Sequence, residues 1–417
     1  MKKSAFLAVI LFVTLGECVA QIRVSEYCSE VADYSYMLSS GYFAVHGAEA
    51  DVKRAKKGYL PILESSRDME YSFQKDADGR RFNWFMRPQI VQPIYDGGAV
   101  RAAHKQAVEQ YKIAENNKHQ AELDVRYTAE ECYWKLSEAE IYLKAIGDYL
   151  DIINSLREVV SNRYDEGYIA KNDLLQVDSR LSDARYQLSA AEQRYLVALH
   201  RFNVMRGAAP DQSVELAESI LDTMAMPMRA EFDRVLHSRP DYHSSIARSE
   251  HARWGIRAAT APFEPSINVG LYALLGPKSQ KIEATRASLN GGIVFGFHTP
   301  IFHFRERRDA ARSARAKHRI AELAVGELTD AILLEESDGW TNLQNSHSRV
   351  ETTRRNLALA KETLDIITFS YEEGLTTILD VLQAQISWLQ IYSNAIAAQY
   401  DYAIAISEYR RITVADE

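Results

Sequence analysis

RYDEGYIAKNDLLQVDSRLSDARYQLSAAEQRYLVALHRFNV, from Arg163 to Val204, returns in outline as SYEEGLTTILDVLQAQISWLQIYSNAIAAQYDYAIAISEYRR, from Ser370 to Arg411. An offset of 207 carries Tyr164 to Tyr371, Glu166 to Glu373, Gly167 to Gly374, Asp173 to Asp380, Leu175 to Leu382, Gln176 to Gln383 and Tyr195 to Tyr402. The same offset lays Gln92-Pro93-Ile94-Tyr95 on Thr299-Pro300-Ile301-Phe302, so the duplicated unit exceeds a hundred residues. The chain reads as two structural repeats, 21–207 and 230–417, joined by an irregular segment at 208–229 that contains Pro210 and Pro227.

Heptad arithmetic sets the shape of each repeat. Leu174, Leu181, Leu188, Tyr195 and Phe202 recur every seven residues, and Val177, Ala184, Ala191, Ala198 and Met205 follow each by three. That is an a/d seam, and its small d residues allow close approach of a second helix. Upstream, Leu136, Leu143 and Leu150 alternate with Ala139, Ile146, Ile153 and Val160 in the same way. Gly167 interrupts the two, with Asn172 or Asp173 able to cap the helix that follows. Each repeat therefore holds a long helix, a tight turn at Gly167 or Gly374, and a returning helix.

The chain opens with Lys2-Lys3, an apolar run from Ala5 to Leu15, and Val19-Ala20 before Gln21. This predicts a signal peptide over residues 1–20, cut after Ala20. Leu15-Gly16-Glu17-Cys18 outlines a lipidation site at Cys18, with Glu17 where such sites carry a small residue. No later apolar run reaches the roughly 20 residues of a membrane-spanning helix. The chain is therefore either soluble or crosses a membrane as strands. Lys+Arg total 49 against 57 Asp+Glu, a net −8; removing Lys2, Lys3 and Glu17 leaves 47 against 56, near −9. This balance offers nothing to nucleic acid. Cys28 and Cys132 fall on different predicted helices and read as packing residues rather than a disulfide framework.

Between the helices the period changes. An amphipathic helix is expected from Ser29 to Lys57, ended by Gly58-Tyr59-Leu60-Pro61. Two strands follow, at 62–73 and 81–92 around Asp78-Gly79. Another helix opens at Arg239-Pro240-Asp241-Tyr242, runs to Thr260 and precedes strands at 265–274 and 288–298. There Ile267, Val269, Leu271 and Ala273 alternate with Ser266, Asn268, Gly270 and Tyr272, and Ile293, Phe295 and Phe297 alternate with Gly292, Val294, Gly296 and His298. Alternation over about ten residues suits a barrel strand in a membrane and equally a half-buried strand of a soluble sheet. Each strand pair leads into a helix of about 66 residues, at 97–162 and 303–369, which would be about 100 Å long. The fold class is mainly α with a small β part, long coiled-coil hairpins plus four strands per chain.

At these landmarks the chain resembles the TolC family of outer-membrane efflux proteins. The landmarks are the paired Tyr-x-x-Gly elements with Asp173 and Asp380 behind them, the Arg239-Pro240-Asp241 helix start, the Pro-terminated helices before each strand pair, and the exits at Pro93 and Pro300. The resemblance implies a homotrimer in which three chains share a 12-stranded transmembrane β-barrel in the outer membrane above a trimeric α-barrel in the periplasm. It also implies a channel of a tripartite efflux or type I secretion system, joined by a periplasmic adaptor to an inner-membrane transporter. Physics concurs, because four strands with unprotected edges require closure against other chains. The competing readings are a periplasmic coiled-coil adaptor, which has one hairpin where this chain has two, and a structural scaffold, which would lack the alternating strands.

The resemblance makes Gly167 and Gly374 the tips of the tunnel, with Asp165, Glu166 and Tyr168 beside the first and Glu372, Glu373 and Leu375 beside the second as the surface an adaptor touches. An ordinary helix-hairpin turn accounts for the same glycines. It also implies a periplasmic gate at Asp380, Gln383, Tyr371 and Asp173. Three Asp380 carboxylates would form an acidic ring, Gln383 stands where some relatives carry a further acid, and Tyr371 would donate to Asp173. The plain alternative for Asp380 is a helix-start carboxylate favoured by the macrodipole. His237, His243 and His251 are spaced six and eight apart, too divergent for one metal, and His298 and His303 flank a strand exit. No triad, phosphate loop or paired catalytic carboxylates appear, so neither an enzyme nor a cofactor site is expected.

Overall fold

The computed structural model describes residues 21–74, 81–222, 224–276 and 288–415. The expected signal peptide at 1–20, Cys18 and the Asp78-Gly79 turn lie outside the described residues. In chain order the elements are β1 (Gln21–Ile22), α1 (Val24–Tyr34), α2 (Tyr36–Lys57), β2 (Ile62–Tyr71), β3 (Phe82–Asp96), α3 (Ala99–Asp165) and α4 (Lys171–Met205). After them come β4 (Glu215–Leu216), α5 (Phe232–Ser238), α6 (Pro240–Thr260), β5 (Ser266–Gly276), β6 (Ser288–His298), α7 (Glu306–Glu372) and α8 (Ile378–Thr413).

The two long helices have 67 residues each. Both start later than the periodicity suggested, since Gly97 and Gly98 in one repeat, and Phe304 and Arg305 in the other, have positive φ and cannot belong to a right-handed helix. Both also run on to the turn itself. The single helix expected from Ser29 to Lys57 instead begins at Val24 and breaks at Ser35, which is extended (φ −64°, ψ 117°). Beside the break, the Tyr34 ring occupies the space where a Cβ on Gly207 would stand.

One compact unit gathers the described residues before Met37, Leu123–Arg229 and those from Glu336 onward. In it every predicted seam position of α4, from Leu174 to Met205, is buried or half-buried, and so are those of α3 from Leu136 to Val160. Ile146, Tyr149 and Ile153 of α3, Leu181 and Ala184 of α4, Leu364 of α7 and Trp388 of α8 form one apolar cluster, so the two hairpins share a core. Burying each large side chain contributes about 1.5–3 kcal/mol. The joining segment is less irregular than expected, because β4 pairs in parallel with β1. Tyr133 ties it down, its hydroxyl donating to Ile22 O at 2.9 Å and accepting from Glu218 N at 3.1 Å. Cys28 and Cys132 are unbridged, the latter buried.

The other unit comprises Met37–Glu122 and Ala230–Glu335. Its sheet has the order β2-β3-β5-β6, with every neighbouring pair antiparallel. Register aligns Leu63, Ile90, Leu271 and Ile293 in one row across all four strands. Met69 faces Trp84, and Phe295 and Phe297 extend the same face, with Arg67 and Gln92 among its polar exceptions. This apolar face is exposed, Phe295 to 78% and Leu63 to 75%. The opposite face carries Glu64, Gln89, Asn268 and Tyr272, the Gln89 amide donating to Glu64. Gly292 and Gly296 leave room there for the Tyr272 ring and the Asn268 amide. The alternation read from sequence is therefore a real two-faced sheet.

Also in this unit, Pro240 occupies the first turn of α6, and the Arg239 guanidinium folds back bidentately on Asp241 (3.0 and 2.7 Å) while reaching Glu335 at 2.6 Å. Burial pushes the Asp241 carboxyl up, but the Arg239 hydrogen bonds and charge outweigh it and hold the carboxyl below its ordinary range.

Candidate functional site at the hairpin tips

At the first tip Gly167 has φ +79°, Tyr168 N donates to Arg163 O at 2.8 Å and Gly167 N to Tyr164 O at 2.9 Å. These are the two closing bonds of a Schellman motif, whose left-handed residue glycine takes without strain. The second tip repeats it, with Gly374 at φ +75°, Leu375 N donating to Ser370 O at 2.8 Å and Gly374 N to Tyr371 O at 3.0 Å. A Cβ on either glycine would meet open space. Asp165, Glu166, Tyr168, Glu372, Glu373 and Leu375 are all exposed, so both tips present two acids and one large side chain to solvent.

The returning helices start differently. Neither Asn172 nor Asp173 caps α4, because the N-cap is Ala170, which has no side-chain acceptor, and Asp173 lies three residues inside. In the second copy Thr377 is the N-cap and forms a capping box with Asp380. Asp380 Oδ2 accepts from Thr377 Oγ1 at 2.6 Å, Thr376 Oγ1 at 2.8 Å and Thr377 N at 3.1 Å. The Thr377 hydroxyl, followed by that of Thr376, lowers the Asp380 carboxyl pKa. The helix-start role is thus real, and Asp380 is also exposed. From it a narrow exposed stripe runs along α8 through Gln383, Ser387, Gln390 and Asn394 at heptad spacing, while most of the remaining helix is buried.

Tyr371 is buried beside the first tip, among Leu156, Val160, Val177, Ile378, Val381 and Leu382. Within one chain its hydroxyl makes no hydrogen bond among the described residues, so the expected bond to Asp173 is absent there. Burial pushes that hydroxyl's pKa up, with Arg163 opposing and Asp173 reinforcing the shift. The bond that joins the tips comes instead from Arg163, which the sequence reading passed over. Its guanidinium donates to Tyr371 O at 3.0 Å and to Glu372 O, and lies 4.9 Å over the Tyr371 ring. It satisfies two terminal carbonyls of α7 and sets a cation against the negative end of that helix. The offset of 207 pairs Arg163 with Ser370, and this mismatch between copies was the available signal.

Elsewhere His243 Nε2 lies 2.8 Å from His237 O, and His303 packs edge-on against Phe263. No described helix is long and apolar enough to cross a membrane. The sheet's exposed apolar face has no counterpart in a periplasmic coiled-coil adaptor or a helical scaffold.

A sheet with one apolar face and a pair of long helical hairpins are the features to set against known proteins. The model of the family described as outer membrane efflux protein matches residues 35–208 and 232–413, and the chain belongs to that family. It is 22% identical over 372 residues to the outer membrane efflux protein BepC of Brucella suis, covering 88% of this chain and 80% of the relative. Its fold is similar to the outer membrane protein VceC of Vibrio cholerae (TM-score 0.80, 19% identity, 94% of this chain and 96% of that one). It is similar also to the open state of the MtrE channel of Neisseria gonorrhoeae (TM-score 0.79, 16% identity, 94% and 88%). The protein is an outer-membrane efflux channel, and its fold and family are those of channels rather than enzymes.

Proposed function

We propose that three copies close into one conduit. β6 of each chain pairs with β2 of the next to complete a 12-stranded barrel, and the helices continue it through the periplasm. The observation that carries this is the apolar row Leu63, Ile90, Leu271 and Ile293 on a sheet whose β2 and β6 edges have no partner strand among the described residues. An exposed apolar sheet with two open edges is stable only when closed and covered by lipid. The exposed tips receive a periplasmic adaptor, which couples the channel to an inner-membrane transporter of an efflux or type I secretion system. Asp380 and Gln383 line the constriction. Tyr371, buried beside the first tip with Asp173 of the same chain near it, backs that constriction.

The mass of the particle extracted from outer membranes in mild detergent tests the closure, and a monomer would refute it. For the gate, three carboxylates on one axis attract cations. Asp380→Asn is expected to lower cation preference in planar bilayers without opening the pore, and Tyr371→Phe to raise conductance without altering preference. Wild-type behaviour of both variants would move the constriction elsewhere.

A further inference from the structure

The two repeats enter their long helices through the same backbone with different residues. Gly97 and Gly98 have φ +68° and +87°, and at the offset of 207 Phe304 and Arg305 have φ +43° and +69°. Glycine takes that region freely, whereas two consecutive non-glycine residues there are strained, and such strain persists at sites of function. Arg305 lines a cavity of about 1100 Å³ between α6 and the starts of α3 and α7, shared with six further arginines and one carboxylate, Asp96. Asp96 is occupied in capping α3, where it accepts from Gly98 N at 3.0 Å and Val100 N at 2.6 Å. Glu264 meets Arg307, and Arg253 pairs with Glu250. For Arg101, Arg305, Arg308 and Arg315 no carboxylate of the described residues lies within ion-pair distance. Guanidinium groups gathered without counter-charge repel one another unless an anion joins them, and their planar forks match phosphate.

The position of the cavity names the source of that anion. Tyr95 stands opposite Ile267 in the ladder and Ile267 opposite Phe297, so Tyr95 belongs to the apolar face. Arg257 donates to its hydroxyl at 3.4 Å, and Arg101 lies 5.9 Å over the Trp254 ring. The arginines thus begin where the apolar face ends in aromatics, at the periplasmic edge of the hydrocarbon. A lipid whose chains lie against that face puts its phosphate at this level.

We infer that this cavity binds the phosphate of an anionic phospholipid of the periplasmic leaflet, with Arg305, Arg308 and Arg101 as its ligands. The inference depends on the membrane placement and not on the gate or the adaptor. Its test is native mass spectrometry of the full-length protein, purified from outer membranes, stripped of lipid and offered phosphatidylglycerol, phosphatidylcholine or inorganic phosphate. Phosphatidylglycerol should be retained in preference to phosphatidylcholine. Arg305→Gly and Arg308→Gln should each weaken retention about tenfold, the effect of losing one charged hydrogen bond. Arg305→Gly restores the residue of the first copy and relieves the backbone, so it should be at least as heat-resistant as wild type. Phe304→Gly relieves the neighbouring strain, spares every guanidinium and should retain lipid normally. Equal retention of the two lipids, or wild-type retention by both arginine variants, would overturn the site. Binding of inorganic phosphate without phosphatidylglycerol would overturn the assignment to lipid.

Discussion

Replacing Arg163 with alanine should loosen the second tip from the first. The side chain supplies hydrogen bonds to Tyr371 O and Glu372 O and a cation over the Tyr371 ring. A charged hydrogen bond is worth about 1.5–3 kcal/mol and a half-exposed cation–π contact about 0.5–1. Solvent reaches part of the guanidinium, so the bonds are discounted toward the low end. The expected loss is about 2 kcal/mol, which for a local opening equilibrium is roughly a 30-fold change.

The amides that report it are Glu373, Gly374 and Leu375, whose N–H groups close the end of α7. Their hydrogen exchange should quicken about 30-fold, while those of Gly167 and Tyr168 at the first tip change little. Arg163→Lys keeps the charge but not the fork and should fall between. Conductance in planar bilayers should rise with exchange if the tip limits the pore. Unchanged exchange at the three amides would refute the latch, whatever the conductance does.

Gly167→Val and Gly374→Val should each cost about 1 kcal/mol or more of backbone strain yet meet no neighbouring atom. Trimers should therefore still form while efflux, measured by drug susceptibility, declines. Ala170→Thr should give α4 the threonine cap that α8 already has and stabilise it by about 1 kcal/mol, seen as slower exchange in its first turn; Thr377→Val should do the reverse to α8. The depressed Asp241 carboxyl contributes stability that is complete above the unfolded carboxylate range and disappears as pH falls through the lower folded value. Acid melting curves should show that loss, and Asp241→Asn should remove this part of the pH dependence. A melting profile identical in the variant would place the acid sensitivity in other groups.

What was legible in the sequence followed from periodicity. The seams from Leu136 to Val160 and from Leu174 to Met205 had only one consistent geometry, and the alternation after Ser266 could describe only a two-faced strand. Helix limits were less legible, since a break depends on backbone torsion rather than side-chain period. Nothing in the composition of Phe304-Arg305 announces a left-handed pair, and nothing in Tyr34-Ser35-Tyr36 announces an interruption. The cap was misplaced for a related reason. Asn172 and Asp173 are good capping residues, but the Schellman turn at Gly167 leaves the chain in helical register one turn from the glycine, and the cap falls on Ala170. The latch at Arg163 is a contact between hairpins, which no local pattern contains.

In a duplicated chain, shared residues describe the scaffold, so what distinguishes one hairpin from the other has to come from the differences. Ala170 is matched by Thr377, and only the second returning helix has the box that holds Asp380. Arg163 is matched by Ser370, so the bond between tips runs one way, from the first hairpin onto the end of α7. Arg157 and Asp178 form an ion pair at 2.6 Å in the first copy, and at the same offset stand Leu364 and Gln385, both buried. At this place the first hairpin thus has a surface ion pair, and the second a buried leucine and a buried glutamine. α8 has the narrower exposed face, uncharged from Gln383 to Asn394, whereas α4 is exposed broadly. A wall element that buries most of its circumference and presents one narrow polar stripe is suited to line a lumen; one that exposes charge broadly is suited to face the periplasm. The differences between copies are thus what the proposed gate rests on: if three chains share one axis, the narrow stripe of α8 that starts at Asp380 is the face suited to it, and conduction of the Asp380→Asn variant tests that placement.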